Sequence, residues 1–208
     1  MRVSRTVVAG VAVATALTVS VAGCGSKPAS STSKSGSSSP ATNTSSSAPK
    51  SSAPAQPTDY SGLLIQATDI DAPPDFAFTG SPPTNNPNGQ PGVATTFSTQ
   101  DNSHVIKDTI QVLADPAAAT NALNAAKGNQ GNAVKDPKTF PFDVGTGGTT
   151  LSGNSPDNSK SILILMFTEG RAFVTLEFDG PPYALPPPEF ITSVGQKQDA
   201  AIKKGLGG

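Results

Sequence analysis

A single α+β domain built on a mainly antiparallel sheet with packed helices is what the sequence predicts for residues 59–208, after a signal peptide (1–23) and a disordered tether (24–58). Three observations carry this expectation. Composition breaks near Thr58, where a low-complexity Ser/Thr/Pro/Ala stretch gives way to chain with regularly spaced Ile, Leu, Val and Phe. Beyond the break, short strand-like segments outnumber helical ones, in the order helix, strands, helix, strands, helix. The 150 residues there match the size of one ordinary domain.

Each element has a local cause. "GLLIQATDI" reads as a brief helix from Leu63, and residues 93–98 read as a strand. "HVIKDTIQVLA" alternates, placing Ile106, Ile110 and Val112 on one face and Lys107, Thr109 and Gln111 on the other. In "ADPAAATNALNAAKG", Asp115 is a helix N-cap and Pro116 a first helical residue. Ala119, Ala122, Leu123 and Ala126 then form a thin apolar stripe, and Gly128 is the expected stop. Residues 139–144 and 149–152 read as an irregular strand pair interrupted by "GTGG".

"SILILMFTEGRAFVTLEF" reads as a hairpin of strands 161–168 and 171–178 around a Glu169-Gly170 turn. The unbroken apolar run 162–167 predicts a central strand covered on both faces. After the proline-rich "GPPYALPPP", residues 189–204 place Phe190, Ile191, Val194, Ala201 and Ile202 near one helical face, with Lys203 and Lys204 favourable at the C-terminal end. This helix is expected to cover the sheet.

The amino-terminal segment points to a compartment. Arg2 and Arg5 precede an apolar run over 7–21 that ends in small residues, the pattern of an export signal. That run is shorter than the roughly 20 residues a spanning helix needs. Cys24 is the sole cysteine, so no internal disulfide is expected and the domain stands on its core alone. Residues 25–58 carry only Lys27, Lys34 and Lys50 as charges and no apolar side chain larger than alanine, too little to offset ordering entropy. As a flexible coil such a tether reaches roughly 30 Å.

Val21-Ala22-Gly23-Cys24 resembles the lipobox of bacterial lipoproteins. The resemblance implies a diacylglyceryl thioether on Cys24, cleavage in front of it, and a mature chain anchored in the cell membrane on its extracytoplasmic face. More than one acyl chain makes such an anchor stable. Lipobox and tether together resemble mycobacterial lipoproteins, which implies an O-glycosylated stalk. The order of "GLLIQATDI", "LADPAAATNALNAA", "VGTGG", the "TEGRAFVTLEF" hairpin and a closing helix resembles the extracellular sensor domain of the PknH type and related mycobacterial lipoproteins. That likeness covers most of 59–208 and implies a binding cleft, with no family catalytic residues to transfer. The chain differs from those domains in lacking tryptophan and a second cysteine.

Charge and motifs narrow the chemistry. The domain carries nine basic and fifteen acidic residues, a net of −6, which argues against nucleic acid as a partner. His104 is the only histidine and reads as a surface residue at a strand start. "GNSPD" around Ser155 lacks the second glycine of a nucleophile elbow. Asp69, Asp71 and Asp75 in "DIDAPPD" lack the glycine and glutamate of a calcium loop and read as a helix end and turn. "VGTGGTT" lacks dinucleotide spacing and reads as a turn or bulge. No catalytic residue, metal or cofactor is expected.

The expected function is therefore a non-enzymatic, lipid-anchored binding or sensor-like domain of the cell envelope. The partners in view are the membrane, through Cys24, and an envelope lipid, glycan or protein. A lipid or glycolipid carrier and a structural or protein-interaction lipoprotein are the alternatives: a carrier needs a large apolar cavity, an interaction module an exposed apolar patch. The loops at 81–92 and 180–188 are the expected recognition surface.

Overall fold

The computed structural model describes residues 59–129 and 133–207. Residues 1–58, with the expected signal peptide, Cys24 and the expected tether, lie outside the described residues. Within them the α+β architecture holds: an eight-stranded, wholly antiparallel sheet with two helices packed on it. The strands are β1 (Phe78–Gly80), β2 (Thr84–Asn85), β3 (Gly92–Thr99), β4 (Val105–Val112), β5 (Lys135–Pro141), β6 (Thr146–Asn154), β7 (Ser161–Glu169) and β8 (Ala172–Gly180). Helix α1 (Pro116–Asn129) follows β4 and α2 (Pro188–Leu206) closes the chain. The sheet order is β1-β3-β4-β8-β7-β6-β5, with β2 also paired to β3.

The two helices lie on opposite faces, as the two-residue period of β7 shows. Leu163, Leu165 and Phe167 join Ile191, Val194 and Ile202 of α2 in the larger core. Ile162, Ile164 and Met166 join Leu123 of α1 in the smaller one. A strand covered on both sides has no polar face, which explains the unbroken apolar run. Helix α2 can approach closely because residue 195 is glycine: a Cβ there would stand 2.8 Å from the Leu165 side chain. Asp115 caps α1, its Oδ1 accepting from Ala118 N at 2.7 Å.

Four local expectations are corrected. "GLLIQATDI" forms two 3-10 turns, Ser61–Leu63 and Ala67–Asp69, and no continuous helix. The fully buried Gln198 of α2 accepts from Ile65 N (3.2 Å) and donates to Leu63 O (2.7 Å), taking backbone groups a helix would have used. The hairpin turn is Gly170-Arg171, one residue later than expected, since Glu169 pairs with Ala172. Gly170 at φ 53° supplies the left-handed residue that such two-residue loops require. Gly128 lies inside α1, where it keeps right-handed backbone geometry and does not terminate the helix. Strand β5 starts at Lys135, earlier than expected: it is an exposed edge strand holding Pro137 and Pro141, so it carries no alternation to read.

The glycine-rich "GTGG" forms a turn and bulge, with Gly145 at φ 58°, Gly147 at φ 66° and a register shift between Thr146 and Thr149.

Candidate functional site

Two hairpin turns at one end of the sheet share a single design. In Thr99–His104, between β3 and β4, Asp101 Oδ1 accepts from Thr99 Oγ1 (2.7 Å), Ser103 N (3.1 Å) and Ser103 Oγ (2.9 Å). In Ser155–Lys160, between β6 and β7, Asp157 Oδ1 accepts from Ser155 Oγ (2.5 Å), Ser159 N (3.0 Å) and Ser159 Oγ (2.8 Å). Asn102 and Asn158 take φ 56° and 57°, a left-handed geometry that asparagine tolerates. For Asp101 the backbone N–H of Ser103 first, and for Asp157 the Ser155 hydroxyl ahead of the Ser159 N–H, hold the aspartates well ionised, each carboxyl brought down to about 2. The repeated pattern [Ser/Thr]-x-Asp-Asn-Ser was visible in the sequence and is the signal that would have paired these turns.

The residue leaving each turn meets different surroundings. Lys160 Nζ bonds Asp179 Oδ2 at 2.6 Å, and Lys107 Nζ approaches the same oxygen at 3.0 Å and Glu177 Oε1 at 2.6 Å. Desolvation opposes the charged form of Asp179, but the two lysines outweigh it and hold its carboxyl below the ordinary value.

His104 instead lines an apolar cleft of about 300 Å³ where the start of β4, the end of β8, residues 72–78, the 184–187 loop and the first turn of α2 converge. Its wall is phenylalanine. Phe190 stacks on Phe78 with ring centroids 6.2 Å apart and takes Phe178 edge-on at 6.1 Å. Phe76 meets the His104 ring edge-on at 5.3 Å. At the rim, Phe76 and Leu185 are each 46% exposed.

The loop that completes the cleft is held from below: Ser161 Oγ donates to Ala184 O at 2.7 Å, and Ala184 N to Pro181 O at 3.1 Å. Pro181, Pro182, Pro186 and Pro187 restrict its backbone. A larger hollow of about 580 Å³ runs along the exposed side of α2 past Glu189, Thr192 and Lys197, but it is an open surface groove with no enclosing wall.

The sequence-derived site residues distribute unevenly. The 180–188 loop lines the cleft, whereas 81–92 does not: it holds β2 and a 3-10 turn against β3. Asp69 Oδ2 accepts from Gln66 N at 2.7 Å as a local cap, and Asp71 pairs with Lys197 at 2.6 Å. Asp75 sits in a 3-10 turn beside the cleft, and Ser155 serves its own turn. Cys24 lies outside the described residues, and among these residues no group of three or more His, Cys, Asp or Glu side chains could hold a metal.

Sequence reasoning missed the phenylalanine wall, which three separate segments assemble, and Asp108. Asp108 lies on the buried face of β4, fully enclosed, with neither carboxylate oxygen hydrogen-bonded among the described residues. Burial pushes its carboxyl up to about 8. The register sets it between Thr95 of β3 and Leu176 of β8 in the larger core, away from the cleft.

No protein-family model matches the chain, and no curated protein is significantly similar to it.

Proposed function

We propose that this chain is a lipid-anchored binding domain of the cell envelope whose recognition site is the phenylalanine cleft at the His104 end of the sheet. The observation that carries the reading is a concave apolar wall formed by four phenylalanines and prolines, with His104 and Asp179 as the side chains of polar type along it. Small-molecule sites are concave, mostly apolar and marked by few polar groups. Leaving Phe76 and Leu185 half exposed around a hollow is unfavourable for an unliganded surface and favourable once an apolar group covers them.

Between α2 and the sheet, Val93, Ile110, Leu165, Val174 and Leu176 are fully buried core residues, which favours a shallow binding cleft over the chain-length tunnel of a carrier. The anchor follows from Val21 to Cys24 and the tether, which would let the domain stand off the membrane.

Native mass spectrometry of the full chain purified from its own membranes tests the cleft. A retained small molecule that is lost on Phe190→Asp supports it, and a molecule retained equally by both forms places recognition elsewhere. For the anchor, Cys24→Ala is expected to move the protein out of the detergent phase; an unchanged membrane fraction would sink that part of the proposal.

A further inference from the structure

The polar end of the cleft has a fixed chemical sense. Asp101 is acceptor-only, and the Ser103 hydroxyl donates to its Oδ1 at 2.9 Å. The same Ser103 Oγ lies 2.9 Å from His104 Nδ1. A serine hydroxyl has one hydrogen, already committed to the carboxylate, so between Oγ and Nδ1 the imidazole must donate. The neutral His104 ring is thereby held as the Nδ1–H tautomer, and Nε2 carries a lone pair. With Nδ1 occupied, Nε2 is the ring nitrogen left to meet a ligand.

The site therefore combines an apolar wall with acceptors only: His104 Nε2, and Asp179, which also lines the cleft and whose Oδ2 is taken by Lys107 and Lys160. A cavity near 150 Å³ is about what a benzene ring needs, so the 300 Å³ of this cleft accommodates one ring or a branched apolar group with substituents. Taking the cleft to be the binding site proposed above, we infer that it selects an aromatic or branched apolar molecule carrying a hydroxyl or amide N–H, which donates to His104 Nε2. A ligand offering only acceptors meets a lone pair and gains nothing there. Asp101 and Ser103 act as positioning residues: they set the tautomer and do not touch the ligand.

Three aromatic probes separate the possibilities when titrated into the ¹⁵N-labelled full-length protein in lipid nanodiscs at alkaline pH: toluene, p-cresol and benzoate. Partitioning into lipid is common to all variants, so each preference is read relative to His104→Phe. The imidazole ¹⁵N resonances are expected to show Nδ1–H, and p-cresol to bind about 3- to 10-fold tighter than toluene, with benzoate no tighter than toluene. Ser103→Ala is expected to release the tautomer and remove the p-cresol preference, while Ser103→Thr, which keeps a hydroxyl, restores both. A His104 ring found as Nε2–H, or equal affinities for toluene and p-cresol, overturns the inference and leaves the cleft standing. Failure of all three probes to shift resonances of Phe76, Phe78 and Phe190 defeats the cleft itself, and this inference with it.

Discussion

Lys107 and Asp108 are neighbours on β4 that face opposite sides of the sheet, and the two sides treat charge in opposite ways. On the face shared with α1, Lys107 sits partly exposed among Glu177, Asp179 and Lys160, each carboxylate having a cation within 3.0 Å. On the face under α2, Asp108 is fully buried with no partner among the described residues. Position along the chain does not separate them; coverage does. Helix α1 is short and leaves its end of the sheet open to water, whereas α2 and the Ser61–Asp69 turns close the other face over β3 and β4. Charge is inexpensive on the open face and held neutral on the closed one.

The largest expected effect breaks that contrast at Asp108. Its carboxyl is pushed up to about 8 in the fold against an ordinary 3.8, so the unfolded chain ionises first as pH rises. The folded state binds the extra proton, and stability is therefore lost between the two values. Asp108→Val is expected to add on the order of 4 kcal/mol at neutral pH and to flatten the profile between about pH 4 and pH 8. Urea unfolding across that range checks it, and a wild-type profile already flat would contradict the assignment.

Core truncation sharpens the difference in coverage. Ile202→Ala under α2 and Leu123→Ala under α1 are each expected to cost about 2–5 kcal/mol, the former more because it lies in the larger core. Equal losses by denaturant unfolding would mean that the two faces are equally well packed.

The twin turns give a smaller effect with the opposite pH sense. Asp101 and Asp157 are held at about 2, so their contribution is present above the ordinary carboxylate range and is lost as pH falls towards that value. Asp101→Ala and Asp157→Ala are both expected to make acid unfolding shallower. Only Asp101→Ala is expected to alter probe binding in the cleft, a difference visible by calorimetric titration.

The smallest effect belongs to the open face. Lys160→Met removes one of the two cations on the largely buried Asp179, whose other cation, Lys107, stays in place, and is expected to cost about 1 kcal/mol, shrinking in high salt. A salt-independent loss larger than that would show that the network is effectively buried.

Much of the fold was legible because its signals are local. The apolar run of β7, the alternation of β4 and the Asp115-Pro116 start of α1 each depend on residues a few positions apart, and each lies where it was expected. Errors fell where a distant group intervened or where burial gave no pattern. Gln198 redirected the first helix into two turns from more than 130 residues away. Strand β5, exposed along its length, had no alternation to betray its start. The site was half legible: the proline-rich loop stood out by composition, but Phe76, Phe78, Phe178 and Phe190 look like ordinary core or turn residues until the sheet gathers them.

The sequence by itself determined the α+β class, the break near Thr58, the helix stripes and strand faces, and the expectation of a lipidated Cys24, because periodicity, capping and composition act over short stretches of chain. Tertiary structure alone decided that the two helices take opposite faces, that Asp108 is sealed without a partner among the described residues, and that one of two matched turns delivers His104 to an apolar cleft while the other delivers Lys160 to an ion pair. Burial and the local dielectric are properties of what lies across the fold, and no window of sequence contains them.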